Sequence, residues 1–333
     1  MAAKPPSFLI INVSRIGDTL LVTPAIRAVA RAFPGAAITF LGHPKRCEVV
    51  RHLPYVSTVR EITKNRAWLY GWLGPRYDFA LVYGHDLPLL RYALRAAERV
   101  VAFRQKDAAI NRRLFRAVEP PAFQSLHSAR VPLLLTQALD IAPDGHGLAY
   151  EVTAEERAWA KSFLQGQLPP GKGPLLGLQV ASFPTKAYRD WPVPHFAALC
   201  ERILSAHPQA HFLLLGGKEE AAKIRELERQ LNNHATVVAG KLSLRQTAAL
   251  MQQLDLYVGV DTGPTHLAGA VGVPMVALYH CYSPGRLLAP LERDNLQVVE
   301  HPALDAGGTL QSDMADISVE RVWNAVETLL KNG

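Results

Sequence analysis

Along its 333 residues the chain alternates short β-rich runs with stretches of helical period, and it goes through that alternation twice. In the first half FLIINV (8–13) is followed by a helical stretch over 18–33, then by AITFLG, a basic helix, VSTVREI, FALVYG and RVVAF. In the second half LLGLQV (175–180), HFLLLGG (211–217), TVVAG (236–240), LDLYVGV (254–260) and PMVALYH (274–280) are separated by helical stretches near 194–206, 219–231 and 243–253. Parallel strands cannot be joined by hairpins and need crossovers, so this order predicts a helix-covered parallel sheet in each half. LQGQLPPGKGP (164–174), rich in Gly and Pro and without apolar periodicity, is the expected linker. The expected fold class is α/β: two Rossmann-like, doubly wound domains facing across a cleft, at the carboxyl ends of their strands, where open α/β sheets place ligands. We expect a first domain over 1–168 and a second over 169–315. The rest, 316–333, is expected to form an amphipathic helix, ISVERVWNAVETLL, with Ser318 as its N-cap.

Composition narrows the class. The longest apolar stretches, such as Val131 to Leu135 and Val271 to Leu278, fall short of the ~18 residues a membrane-spanning helix needs. The first apolar run ends at Arg15 without a small-residue cleavage site, so it reads as a strand and a cytoplasmic location is expected. Cys47, Cys200 and Cys281 are far apart and in no CxxC pair, which points to free thiols rather than disulfides or structural zinc. Charge is uneven: residues 1–170 carry 22 Lys+Arg against 13 Asp+Glu, and the remainder 14 against 16. An anionic partner is the functional reading of that basic half, and a solvated surface the bland one. Lys45, Arg46, Arg112 and Arg113 are the candidates for an anionic acceptor. No RNA- or DNA-binding signature accompanies them, so nucleic acid is not expected.

Four stretches can carry chemistry. In GVDTGPTHLAGAVG the strand ends at Asp261 and a helix begins near Pro264, whose missing N–H suits a first turn. A helix N-terminus offers free N–H groups and a positive dipole end to a phosphate, with Thr262, Gly263 and Thr265 as contacts and His266 close by. Asp261 is read as a helix cap or a partner for a ligand hydroxyl, and Gly269 as a point of close helix–sheet packing. In INVSRIGDTLLVTPAIRAV the turn lacks GxGxxG; Asp18 is either an N-cap or a general base at the end of the first strand. ASFPTKAYRDWP places Lys186 and Arg189 where cations can neutralise a diphosphate. LLLGGKEEAAKI offers Glu219 or Glu220 to a ribose or base, or merely a solvated helix start. No DxD pair, metal-ligand spacing or GxSxG elbow accompanies these, and His280 and His301 have no partner at catalytic spacing.

SRIGDTLLVTPAIRA, the block LSLRQTAALMQQLDLYVGVDTGPTHLAGAVGVPMVALY and the intervening loop with Lys186 and Trp191-Pro192 together resemble glycosyltransferase family 9, the ADP-heptose:lipopolysaccharide heptosyltransferases. The resemblance implies a GT-B type transferase, inverting and metal-independent, with no cofactor beyond ADP-heptose as donor substrate. The implied acceptor is an anionic glycolipid, inner-core lipopolysaccharide at the cytoplasmic face of the inner membrane. It assigns Asp18 as general base and implies a C-terminal helix that packs back toward the N-terminal domain. The family lysine two residues before Trp-Pro is here Arg189, with Lys186 five residues before, and HCYSPGR (280–286) departs from the family pattern G-P-T-x-P. Two rival readings remain: transfer of heptose or another nucleotide-linked sugar to a protein or other glycan, and an inactive nucleotide-sugar-binding protein.

Overall fold

The computed structural model describes residues 4–63, 74–168 and 173–332, and the chain divides into two compact units between Glu151 and Val152. The first unit holds β1 (Ser7–Asn12), α1 (Ile16–Leu21), α2 (Thr23–Ala32), β2 (Ala37–Gly42), β3 (Thr58–Glu61) and β4 (Tyr77–Tyr83). After them come α3 (Leu87–Ala96), β5 (Ala97–Phe103), α4 (Ala108–Asn111), β6 (Arg116–Val118) and α5 (Leu133–Gln137). Its strands form one parallel sheet in the order β3-β2-β1-β4-β5-β6. Central strands of such a sheet are covered on both faces and read as continuous apolar runs. Phe8, Leu9, Ile10 and Ile11 of β1 are accordingly all inaccessible to solvent.

The second unit repeats the scheme with α6 (Ala154–Gln167), β7 (Leu175–Gln179), α7 (Val193–Ala206), β8 (His211–Leu215), α8 (Ala221–Leu231), β9 (Ala235–Val237) and α9 (Leu244–Met251). β10 (Leu256–Val260), α10 (Gly263–Val271), β11 (Met275–Tyr279), α11 (Gly285–Leu288), β12 (Leu296–Glu300) and α12 (Val319–Asn332) complete it. The sheet order is β12-β11-β10-β7-β8-β9, again parallel throughout. Trp191 is buried in this unit's core and its indole N–H donates to the Ile317 carbonyl at 2.8 Å, tying the start of α7 to the approach of α12. Val322 and Val326 of α12 lie in the same core, and the Ser318 hydroxyl accepts the Arg321 N–H at 3.3 Å, as an N-cap does.

Three sequence expectations change in detail. The single helix expected over 18–33 is two, starting at Ile16 and broken at Val22. Pro24 has no N–H for the Leu20 carbonyl, and the Thr23 hydroxyl takes that acceptor at 2.6 Å. The boundary expected at 168/169 falls instead at 151/152, because α6 belongs to the second unit: Glu156 receives a two-pronged contact from Arg245 of α9, with Nε at 2.7 Å. Residues 164–167 of the expected linker are thus the last turn of α6, and residues 169–172 of it lie outside the described residues. Neither β6 nor β12 was anticipated: both are edge strands, β6 three residues long and β12 half-exposed with little alternation to reveal it. Among the described residues no helix is long and apolar enough to cross a membrane.

Candidate active site

In each sheet the strand order reverses beside the first strand, between β1 and β4 in the first unit and between β7 and β10 in the second. The carboxyl ends of such strand pairs diverge and leave a crevice. In the first unit that crevice is a cavity of about 300 Å³ whose wall includes Asn12 at the end of β1, Tyr83 and Gly84 at the end of β4, Phe103 at the end of β5, and Asp18. Gly84 has φ +115°, a backbone conformation open to glycine without strain.

Asp18 is brought there by the first turn of α1. The Asn12 side-chain amide donates to the Asp18 carbonyl at 3.0 Å, fixing the helix start to the end of β1. Asp18 is the third residue of the helix and not its cap; its Oδ2 folds back to accept the Arg15 N–H at a long 3.3 Å. The other carboxylate oxygen, Oδ1, takes no hydrogen bond among the described residues. A carboxylate that is exposed, lightly bonded and held on a helix in a cavity wall can accept a proton from a bound hydroxyl.

The basic residues expected to meet an acceptor separate. Arg46 donates to the Ser14 carbonyl at 3.0 Å, and Ser14 is part of the cavity wall, so its charge lies beside the rim. Lys45 is exposed nearby in sequence. Arg112 and Arg113 follow α4 on the surface and are not among the residues lining the cavity.

In the second unit the loop after β7 and the turn after β10 meet through Arg189 and Asp261. Asp261 is 4% exposed, and the Arg189 NH1 lies 2.6 Å from its Oδ2 without the alignment of a hydrogen bond. Burial pushes the Asp261 pKa up, and the charges of Arg189 and then Lys186 pull it back down. The rest of the Arg189 fork is also engaged: Nε donates to the Tyr188 hydroxyl at 3.0 Å and NH2 to the Ser283 hydroxyl at 3.2 Å. Asp261 is therefore the anchor of an arginine and not a helix cap. Lys186 is differently placed, half-buried with its ammonium 5.8 Å from the Tyr188 ring and in no ion pair among the described residues.

The loop carrying both cations is stapled by Asp190. Its Oδ1 accepts from the Ser182 N–H at 2.7 Å and hydroxyl at 2.6 Å, while its Oδ2 pairs with Lys223 at 2.6 Å.

At the start of α10, Thr262 is the extended N-cap residue and Gly263 the first helical residue. The Thr265 hydroxyl is spent inside the fold, bonded to the Val260 carbonyl and to Tyr257 at 2.9 Å, and Thr265 is 1% exposed. Of the expected contacts, Thr262 and the Gly263 N–H remain on the outer side; His266 is buried. Gly269 makes its closest approach to Pro290, where an added Cβ would lie 2.4 Å from that ring, and it also faces Met275 of β11, whose sulfur would lie 3.9 Å away.

After β8, Glu220 turns back to accept the Gly217 N–H, and burial raises its pKa; Glu219 is exposed. Gly216 at φ +148° makes that turn possible. His280 and His301 are structural: each accepts a backbone N–H at Nδ1, from Tyr282 and Ala303, and donates from Nε2 to the carbonyls of Ser312 and Asp313, at 2.8 Å in both cases. All three cysteines are buried and free.

Sequence reasoning missed Tyr83, Phe103 and Ser128 of the first cavity, and Tyr188 and Ser283 around Arg189. The strand-end rule at the reversal point would have found Tyr83 in FALVYG. Ser283 lies 94 residues from Arg189 and carried no local signal.

The family model of glycosyltransferase family 9 (heptosyltransferase) matches residues 76–305. Lipopolysaccharide heptosyltransferase 1 of Pseudomonas aeruginosa is 26% identical over 296 residues, 83% of this chain and 79% of that protein. The lipopolysaccharide core heptosyltransferase OpsX of Haemophilus influenzae is 27% identical over 138 residues, and that match spans 41% of this chain and 40% of the relative's length. A solved glycosyltransferase family 9 structure from Veillonella parvula covers all of this chain at a TM-score of 0.86 and 20% identity, with 99% of that chain matched. The likeness extends to the α/β two-domain architecture of GT-B type transferases.

Proposed function

This chain belongs to glycosyltransferase family 9 and is a glycosyl-transferring enzyme, and on that premise we propose that it moves heptose from ADP-heptose to a sugar of inner-core lipopolysaccharide, with inversion and without a metal. The observation that carries the reading is the Asp18 carboxylate in the wall of the cavity at the reversal point of the first sheet. In the reaction the acceptor hydroxyl loses its proton to Asp18 as its oxygen attacks the anomeric carbon from the face opposite the diphosphate. The bond from that carbon to the diphosphate oxygen breaks, and ADP leaves with the bonding pair. A positioned base of this kind contributes about 10²- to 10⁴-fold.

The charge that grows on ADP needs fixed positive partners. Lys186, in no ion pair among the described residues, and the N-terminus of α10 at Thr262 and Gly263 supply them. Arg189 reaches the diphosphate only with the part of its fork not held by Asp261. Glu219 or Glu220 serves the ribose. The acceptor's anionic groups meet Arg46 and Lys45 beside the cavity rim. The enzyme works in the cytoplasm on a glycolipid presented at the inner-membrane face.

The test is ADP release from ADP-heptose with deacylated lipopolysaccharide core, with and without a chelator, for the native chain and Asp18→Asn. Acceptor-dependent release that survives the chelator and falls at least 10²-fold in the variant is expected. No release from the native chain overturns the reading in favour of another donor, another acceptor or a binding role.

A further inference from the structure

The strongest concentration of positive charge sits at the free edge of the first sheet. Between residues 99 and 116 there are six basic residues and one acid, and that acid, Asp107, is occupied in capping α4. Arg104 pairs with Glu119, but Arg99, Arg112, Arg113 and Arg116 have no acidic partner among the described residues. All four are exposed, and so is Phe115, at 40%.

These groups are held in place by the sheet. Phe8, Phe79 and Arg99 are side-by-side partners on β1, β4 and β5, so their side chains share one face. Phe8 stacks on Phe79 at 5.0 Å, the Arg99 guanidinium lies 5.3 Å from Phe79 and 5.5 Å from Phe115, and the Arg116 guanidinium lies 4.4 Å from Phe115. The aromatic ladder that begins in the core thus ends at the surface in a phenyl ring with two guanidinium groups close to it. β6, which carries Arg116, is the outermost strand, three residues long. Arg99 precedes Phe103 of the cavity wall by four residues on β5, so the cluster lies toward the amino ends of the strands and the Asp18 cavity at their carboxyl ends.

We infer that this edge, centred on Phe115 with Arg99, Arg112, Arg113 and Arg116, is a docking surface for an anionic phospholipid bilayer. Arginines attract the acidic headgroups, and an exposed aromatic ring close to them is the side chain that settles at headgroup level. A soluble anion would need no exposed ring. Docking would bring the unit that carries the Asp18 cavity to a membrane surface; that this serves a lipid-anchored acceptor rests on the proposed function, while the lipid binding itself does not.

The experiment is co-sedimentation of the full chain with phosphatidylcholine vesicles containing or lacking phosphatidylglycerol, without donor or acceptor, so its outcome is independent of catalysis. The native chain is expected to bind only the anionic vesicles and to leave them as salt rises from about 0.1 to 0.5 M. Arg112→Gln, Arg113→Gln and Arg116→Gln together should lower the partition coefficient on the order of a hundredfold, from about a fivefold loss per arginine. Phe115→Ser should lower it further. Arg31→Gln, Arg51→Gln and Arg60→Gln, which remove as much charge elsewhere on the same unit, should change it far less. Absence of native binding, equal binding to neutral vesicles, binding that persists at high salt, or equal loss from the two arginine sets each overturns the inference. The salt series uses native protein and so stands even where a variant folds poorly.

Discussion

The Arg189 guanidinium lies 2.6 Å from the Asp261 carboxylate, and the two belong to different loops at the carboxyl edge of the second sheet, one after β7 and one after β10. The acid is 5% exposed at its side chain and the base 21%. Removing the base alone strands a carboxylate whose burial already raises its pKa. Arg189→Met is therefore expected to cost up to about 3 kcal/mol, the low end for a buried pair because the arginine is partly wetted. Arg189→Met with Asp261→Asn should recover much of that loss. Denaturant titration of the two single variants and the double completes the cycle, and additive losses would show that the pair is not coupled.

Arg189 is committed to Asp261, Tyr188 and Ser283, so on the proposed function the cation left for the donor's diphosphate is Lys186. Lys186→Ala is expected to reduce kcat/KM for the donor about 10²-fold, as removal of a fixed positive partner of the leaving group does. Arg189→Lys should reduce it by less. Steady-state kinetics at varied donor decide this, and the reverse ranking would assign the diphosphate to Arg189.

How much of this the residues declare depends on range. The buried strands, the two-sheet scheme and the placement of Asp18 just after the first strand were legible because each depends on local pattern: apolar runs and a helix start. The commitments of Asp261, Thr265 and His280 were not. Asp261 meets a residue 72 positions away, and the Ser312 carbonyl that holds His280 is 32 away. Thr265 looked like a phosphate contact because its type and position fit one, yet Tyr257 on the preceding strand claims its hydroxyl. The boundary at 151/152 was hidden for the same reason, since α6 joins the second unit through the Glu156–Arg245 pair, 89 residues apart.

Asp190 neighbours Lys186 and Arg189 in sequence, and both its oxygens are used within the fold, one by Ser182 of the same loop and one by Lys223 of α8. On the proposed function it is a positioning residue for that loop. Asp190→Ala frees Ser182 and Lys223 together, and hydrogen bonds to a charged group contribute about 1.5 to 3 kcal/mol. The donor KM is expected to rise roughly tenfold, equivalent to about 1.4 kcal/mol, with kcat changed less. Asp190→Asn, which keeps one acceptor for Ser182, should restore part of the affinity. A fall in kcat alone would contradict the positioning role.

Acid should destabilise the second unit through two histidines. His211 is buried in β8 beside Thr236, and burial, then the nearby His234, lowers its pKa; burial also lowers that of His280, against the Ser312 carbonyl, which raises it. In the unfolded chain both titrate near about 6.5. Below that pH the unfolded state binds protons that the folded state refuses, so stability is whole above about 6.5 and is lost as pH falls toward the lowered folded values. Protonating His280 at Nδ1 would also break the bond it accepts from the Tyr282 N–H. Asp261 and Glu220, whose pKa values burial raises, act with the opposite sign: their ionised forms burden the fold, and acid relieves it from the raised values down to the ordinary carboxylate range. Melting midpoints from pH 7.5 to 5.5 are expected to fall in the native chain and to fall less in His211→Leu, which has no proton to refuse. An identical slope in that variant would remove His211 from the account and leave His280 to carry it.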